Sequence, residues 1–265
     1  MRKFILIFSL LVIIVLINAC IIAIVEHPES SKPPRLDEFH RILPMQSGTT
    51  LSIDNPRGNV EIQGWEQEEA EILAEIFLPL PHKTNFRLAW NLKPAEVDVD
   101  QFEDLIKITT IMKEDKESNY VDYFIKVPES VKLKDIFVES GNVFIYDLYG
   151  EVVTEILSGD LEVDNFSGSL IANVVNGSVQ ATIYDLRMED KIMITTKEGD
   201  IAIYLEENVI MRVEAEALNG EVFSDFDLEE IKPQGKVTSQ IGKGEGGILS
   251  LSATNGDIWI KKINQ

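Results

Sequence analysis

Carboxylates are the most plentiful reactive groups in this chain: 45 Asp and Glu against 24 Lys and Arg in 265 residues, a formal net charge of −21. Three aspartates recur in one setting: Asp160 after Gly159, Asp200 after Gly199 and Asp257 after Gly256. Two facing carboxylates, one with a raised pKa, are what glycoside hydrolysis needs. If the chain coils, residues one period apart stack, and Asp160 and Asp200 are the pair that could come together. Yet Asp beside Gly is also ordinary turn chemistry, and no histidine or basic residue recurs next to these positions. The expectation is no enzyme and no catalytic residue. A carbohydrate-active β-helix enzyme is the alternative.

Metal and phosphate chemistry fare no better. Asp98, Asp100, Glu103 and Asp104, then Glu114, Asp115 and Glu117, offer the hard oxygens that calcium takes. No calcium-loop spacing is met, so a solvated acidic loop is expected. The histidines, His27, His40 and His82, form no pair at i+3 or i+4. The single cysteine, Cys20, allows neither a thiolate cluster nor an intrachain disulfide. Gly242-Lys243-Gly244 lacks the spacing and the Ser or Thr of a phosphate loop; a Gly-rich surface turn is expected there. No metal and no cofactor are implied. The acidity also argues against nucleic acid, whose phosphates need clustered Lys and Arg.

Cys20 belongs to a different kind of chemistry. Arg2 and Lys3 precede an apolar run from Phe4 to Val25, interrupted only by Ser9 and Asn18. As a helix this run would reach about 33 Å, enough to cross a membrane core of about 30 Å. The basic pair would stay inside and everything after Val25 outside. Alternatively, Phe4–Leu16 is the core of a secretory signal, and Ile17-Asn18-Ala19-Cys20 resembles a bacterial lipobox with Cys20 lipidated. Both readings place a membrane-anchored domain on the periplasmic or extracellular side. Residues 1–25 are then anchor or signal, 26–36 a Pro-rich tether, and 37–265 the folded domain.

The elements in that domain are strands. Thr49–Ile53, Val60–Ile62, Leu105–Met112 and Tyr120–Val127 alternate apolar and polar residues or are β-branched. Glu66–Ala74 is Glu- and Ala-rich enough for a helix, but Ala70, Ile72, Ala74 and Ile76 alternate with acids, which favours a strand. His82–Glu103 shows the least pattern.

One phrase then repeats: Ser140-Gly141-Asn142-Val143, Ser158-Gly159-Asp160-Leu161, Asn176-Gly177-Ser178-Val179, with glycines 18 apart. Further copies carry Gly199, Gly220 and Gly256, at intervals of 22, 21 and 36, and an early one carries Gly58. The last interval, twice 18, requires a degenerate copy or an insertion. Gly supplies positive φ, and the Asn or Asp beside it is expected to bond its own backbone. The residues after each glycine alternate, and the connecting pieces recur with an apolar residue of their own, Leu148, Phe166 and Leu186. Fixed periods near 20 mean repeat architecture. The fold class expected is all-β: a β-solenoid, or β-helix-like stack, of roughly 18–22-residue rungs, preceded by one N-terminal membrane helix. Each rung should touch only its neighbours. Lys261 and Lys262 should discourage pairing at the open edge of the last rung.

The repeated Gly-Asp/Asn phrases, the opening Asp54-Asn55-Pro56-Arg57-Gly58-Asn59-Val60, Tyr120–Pro128 and the ending Asn255-Gly256-Asp257-Ile258 resemble the toast-rack putative-adhesin family, over about residues 45 to 263. The resemblance implies a β-solenoid-like fold in a bacterial envelope and brings no catalytic residues. The function expected is a non-enzymatic, tethered module. It would bind an envelope protein or a glycan on a flat side, where Phe144, Phe223 and Trp259 point outward, or assemble into a scaffold.

Overall fold

Alternating apolar residues fold as strands when one face can be buried, and here they supply two faces of a common core. The computed structural model describes residues 35–78, 93–113, 119–228 and 235–263. The proposed anchor, Phe4–Val25 with Cys20, lies outside them. The described residues contain eighteen strands. The first seven are β1 (Arg35–Pro44), β2 (Thr50–Arg57), β3 (Val60–Trp65), β4 (Glu69–Phe77), β5 (Ala95–Gln101), β6 (Leu105–Met112) and β7 (Tyr120–Pro128). Next come β8 (Lys132–Ser140), β9 (Val143–Ser158), β10 (Leu161–Asn176), β11 (Val179–Ile183), β12 (Lys191–Glu198) and β13 (Ile201–Leu205). The last are β14 (Met211–Ala217), β15 (Val222–Ser224), β16 (Lys236–Ile241), β17 (Gly247–Asn255) and β18 (Ile258–Lys262).

Parallel pairing stacks these strands into two walls. The first wall runs β7, β3, first half of β9, first half of β10, β11, β13, β18, β15. The second runs β6, β2, β8, second half of β9, second half of β10, β12, β17, β14. Each turn glycine carries the chain from the second wall to the first. The corner at Tyr146–Gly150 is a bend within β9, not the loop between two strands suggested by its composition, and Asp164–Gly168 does the same in β10. Asp147 (φ 57°) and Asn165 (φ 50°) sit there in the left-handed region that Asp and Asn tolerate best. Leu148 and Phe166 point inward from these corners and are buried, while Leu186 is half-buried against the core.

In the middle of the stack the rungs follow sequence order, as a solenoid should. At both ends they do not. The rung β2–β3 lies between β6–β7 and β8–β9. The final rung β17–β18 lies between β12–β13 and β14–β15. Lys261 and Lys262 therefore do not stand on the last rung: β18 pairs with β13 along its length and with β15 at Ile258–Ile260. Neighbours in a parallel stack are set by backbone pairing and not by order along the chain, so the end positions pass to β6–β7 and β14–β15. Antiparallel strands extend the ends, with β4 and then β1 beyond β7, β5 beyond β6, and β16 beyond β14. The long last interval is thus an insertion, containing β16, rather than a degenerate rung.

β4 is a strand, as the alternation indicated, with Ala70, Ile72, Ala74 and Ile76 buried. The patternless stretch contains β5, whose one buried flank leaves little alternation to read. Polar pairs tie β1 to β4: Arg35 Nη1 donates to Glu75 Oε1 at 2.6 Å, and His40 Nε2 lies 3.0 Å from Glu71 Oε1. Hydrogen bonds from His40 and from Lys126 of β7 hold the Glu71 carboxyl below its ordinary pKa. A lowered pKa means stabilisation that is present at neutral pH and lost as pH falls through the folded-state value. Acidification should therefore lower the amide-exchange protection factors of β1, each measured against the intrinsic rate at that pH, before those of the rest of the domain. Glu71→Gln should remove most of that pH dependence.

Candidate functional site

The turn glycines form one column. In spatial order it reads Gly58, Gly141, Gly159, Gly177, Gly199, Gly256, Gly220. A methyl group on Gly159 would stand 2.0 Å from the carbonyl oxygen of Gly141, and the same holds from rung to rung. Close backbone approach, more than turn conformation, is what demands glycine here. Gly159 has φ +145°, whereas Gly220 and Gly256 are not left-handed and face the same crowding.

Beside this column runs a second one of side-chain oxygens. Asn142 N–H donates to Asn59 Oδ1, Asp160 N–H to Asn142 Oδ1, and Ser178 N–H to Asp160 Oδ1, at 3.0, 2.9 and 2.8 Å. Asp200 N–H donates to Ser178 Oγ, Asp257 N–H to Asp200 Oδ1, and Glu221 N–H to Asp257 Oδ1. The Asn and Asp of the phrase do not bond their own backbone, as turn chemistry suggests; each caps the next rung. A parallel stack makes this possible because equivalent residues lie only about 4.8 Å apart. Asp160 and Asp200 share the column but have the Ser178 rung between them, and each already accepts a backbone N–H.

The other sequence candidates disperse. Asp98 and Asp100 lie on β5, opposite Thr109 and Lys107 of β6. Among the described residues no group of three His, Cys, Asp or Glu converges on a metal position. Glu114, Asp115 and Glu117 lie outside those residues. Gly242–Gly246 joins β16 to β17 as a turn. A groove of about 850 Å³ runs past Tyr149, Lys132, Arg187 and Lys191. Its Arg187 is held by the buried Asp190, which also accepts the Arg187 backbone N–H at 2.8 Å, so this pair closes a turn.

What remains is the outer face of the first wall. Register places Phe124, Glu61, Phe144, Glu162, Gln180, Ala202, Trp259 and Phe223 in one row, rung by rung. Phe223 and Trp259 stack at 5.7 Å with ring planes 14° apart. Phe144 is four rungs from Trp259 and stacks instead with Tyr146. The three aromatics singled out in the sequence thus share a row but not a patch. Between them lies a shallow hollow of about 430 Å³. Ala202 floors it. Trp259, Tyr204 and Lys261 form one side, Glu162 and Gln180 the other, and Asp160, Ser178 and Asp200 the rim. Lys261 Nζ sits 5.4 Å from the Tyr204 ring and 6.0 Å from the Trp259 ring.

The model of the Toastrack DUF4097 family matches residues 29–261. The chain belongs to the Toastrack family. Among solved structures, a putative cell adhesion protein from Clostridium sporogenes is 16% identical and superposes with a TM-score of 0.50, over 86% of this chain and 100% of that one. A putative adhesin from Bacteroides fragilis is 13% identical, over 88% and 100%, with a TM-score of 0.30. The first likeness extends to the fold alone. No curated protein matches the chain.

In this Toastrack chain the hollow escaped sequence reading although its signal was present. Every residue of the outer row from β3 onward stands three places after a turn glycine, and Tyr204 and Lys261 stand five after theirs. Reading each repeat at those offsets would have aligned Glu162, Gln180, Ala202 and Trp259. Their spatial succession could not be read, because β18 follows β13 only through the threading of the last rung.

Proposed function

We propose that the chain is a non-enzymatic, membrane-tethered module of the bacterial envelope that binds a surface partner through the outer face of its first wall. The observation that carries this reading is the state of the repeated carboxylates. They are spent on the backbone ladder, while the row beside them leaves aromatic and polar side chains open on a flat wall. Such a face suits recognition rather than bond cleavage, which needs two facing carboxylates free to move protons. The adhesin description of the solved relatives is consistent with it. Residues 1–25 supply the anchor, by an uncleaved span or by lipidation of Cys20, and the domain faces outward.

Fractionation of cells producing the full chain tests both parts. It should sediment with membranes, be digested by protease added outside the cytoplasmic membrane, and retain purified envelope material in a pull-down. Palmitate label lost in Cys20→Ser identifies the lipid anchor, and its absence from the wild type identifies the span. Appearance in the soluble fraction would sink the tether. Failure to retain either cell-wall material or an envelope protein would sink the binding role.

A further inference from the structure

The hollow on the first wall has the chemistry of a saccharide subsite. We infer that it binds a neutral, extended glycan lying along the stack axis; this inference rests on the reading of that wall as a binding face. Pyranose rings present two kinds of surface: apolar C–H faces, and hydroxyl groups around the equator. The first is matched by the π-faces of Trp259 and Tyr204, whose negative quadrupole attracts polarised C–H groups. The second is matched by Glu162 and Gln180, which accept hydroxyl protons, and by Lys261, which donates. A few convergent polar groups beside an aromatic side is the usual make-up of a small-ligand site.

Spacing and charge narrow the occupant further. Glu162, Gln180, Ala202 and Trp259 lie on consecutive rungs, so the row advances about 14 Å in steps of about 4.8 Å. Each step is close to the length of one sugar in an extended β-linked chain, so successive rings meet successive rungs. Ala202 is the one small residue in the row, and its missing side chain is what opens space for a ring against Trp259. Three carboxylates line the hollow against one lysine, in a chain of net charge −21. Polyanions such as uronate chains or polyol phosphates are repelled, which leaves a neutral polymer.

Titration calorimetry of the full chain in detergent, with chitotetraose and cellotetraose as neutral probes and tetragalacturonate as the anionic one, tests the inference. Binding of at least one neutral probe is expected. Trp259→Ala should weaken it about tenfold, the loss typical of an aromatic anchor. Ala202→Tyr, which fills the hollow from an outward-facing position, should abolish it while the circular dichroism stays unchanged. If Ala202→Tyr fails to fold, Lys261→Ala replaces it and should weaken binding several-fold. No heat with either neutral probe, equal binding by wild type and variants, or preference for tetragalacturonate overturns the inference. Envelope material retained equally by wild type and both variants removes the hollow but leaves the binding role of the wall. A tetrasaccharide bound with no envelope material retained does the reverse.

Discussion

Gly159→Ala should destabilise the domain by about 3–5 kcal/mol, combining left-handed strain with overpacking against backbone. The added methyl would meet the Gly141 carbonyl oxygen at 2.0 Å and its carbon at 2.5 Å. Neither can retreat without moving a rung that is itself hydrogen-bonded on both sides: Gly58 N–H donates to the Ser140 carbonyl, and Gly141 N–H to that of Ser158. Gly244→Ala is the matched comparison. That glycine also has positive φ, +118°, but nothing lies within 4 Å of the added atom. It should cost only conformational strain, about 1–2 kcal/mol. Urea unfolding of both variants gives the difference directly. Equal costs would mean that the column is a set of turns and not a close-packed backbone ladder.

The second large effect is expected at Asn55, buried where the threaded rung β2–β3 meets β7. Its Nδ2 donates to the carbonyls of Gly58 and Val121 at 3.1 and 3.0 Å, and its Oδ1 accepts from Thr110 at 3.1 Å. With its proton committed to Asn55, the Thr110 hydroxyl must accept from Tyr123, 2.6 Å away. Burial raises the Tyr123 phenol far above its ordinary pKa, so it remains a donor. Asn55→Leu keeps the branching of the side chain but leaves the Val121 and Gly58 carbonyls and the Thr110 hydroxyl without these bonds. At about 1–3 kcal/mol each, the loss should be about 3–5 kcal/mol, since not all of it adds. Asn55→Thr should cost less. Thr196 fills the same place, three before its glycine, with its hydroxyl 3.3 Å from the Gly177 carbonyl and 3.4 Å from that of Gly199. A leucine variant as stable as the threonine one would show that this polar cluster is dispensable.

The slot before each glycine also shows how far sequence reading goes. Val138, Ile156, Val174, Ala253 and Ala217 fill it elsewhere, all buried. Apolar periodicity identified the inward residues that follow the glycines, such as Leu161, Val179, Ile201 and Ile258, and equally the strands β6 and β7 and the strand character of β4. Asn55, three before its glycine, reads locally as one more turn residue. Only its place beside Val121, 66 residues on, makes it part of the core. The ladder of Asn59, Asn142, Asp160, Asp200 and Asp257 is similar. Residue type and spacing were visible, but local turn chemistry and cross-rung capping use the same residues, and only the stacked backbone selects between them.

By itself the sequence determined the repeat, the inward faces, the corner residues Leu148 and Phe166, and an acidic composition whose single cysteine allows no intrachain disulfide. These are local: period, side-chain polarity and backbone preference act within one rung. The tertiary structure decided which rungs are neighbours, and therefore that Ala202 lies beside Trp259 and that Lys261 belongs to a hollow rather than to a guarded edge. Parallel pairing carries no adjacent-in-sequence requirement. Backbone pairing placed the first and last rungs one step inside the stack, and the open face of the wall was composed by that placement.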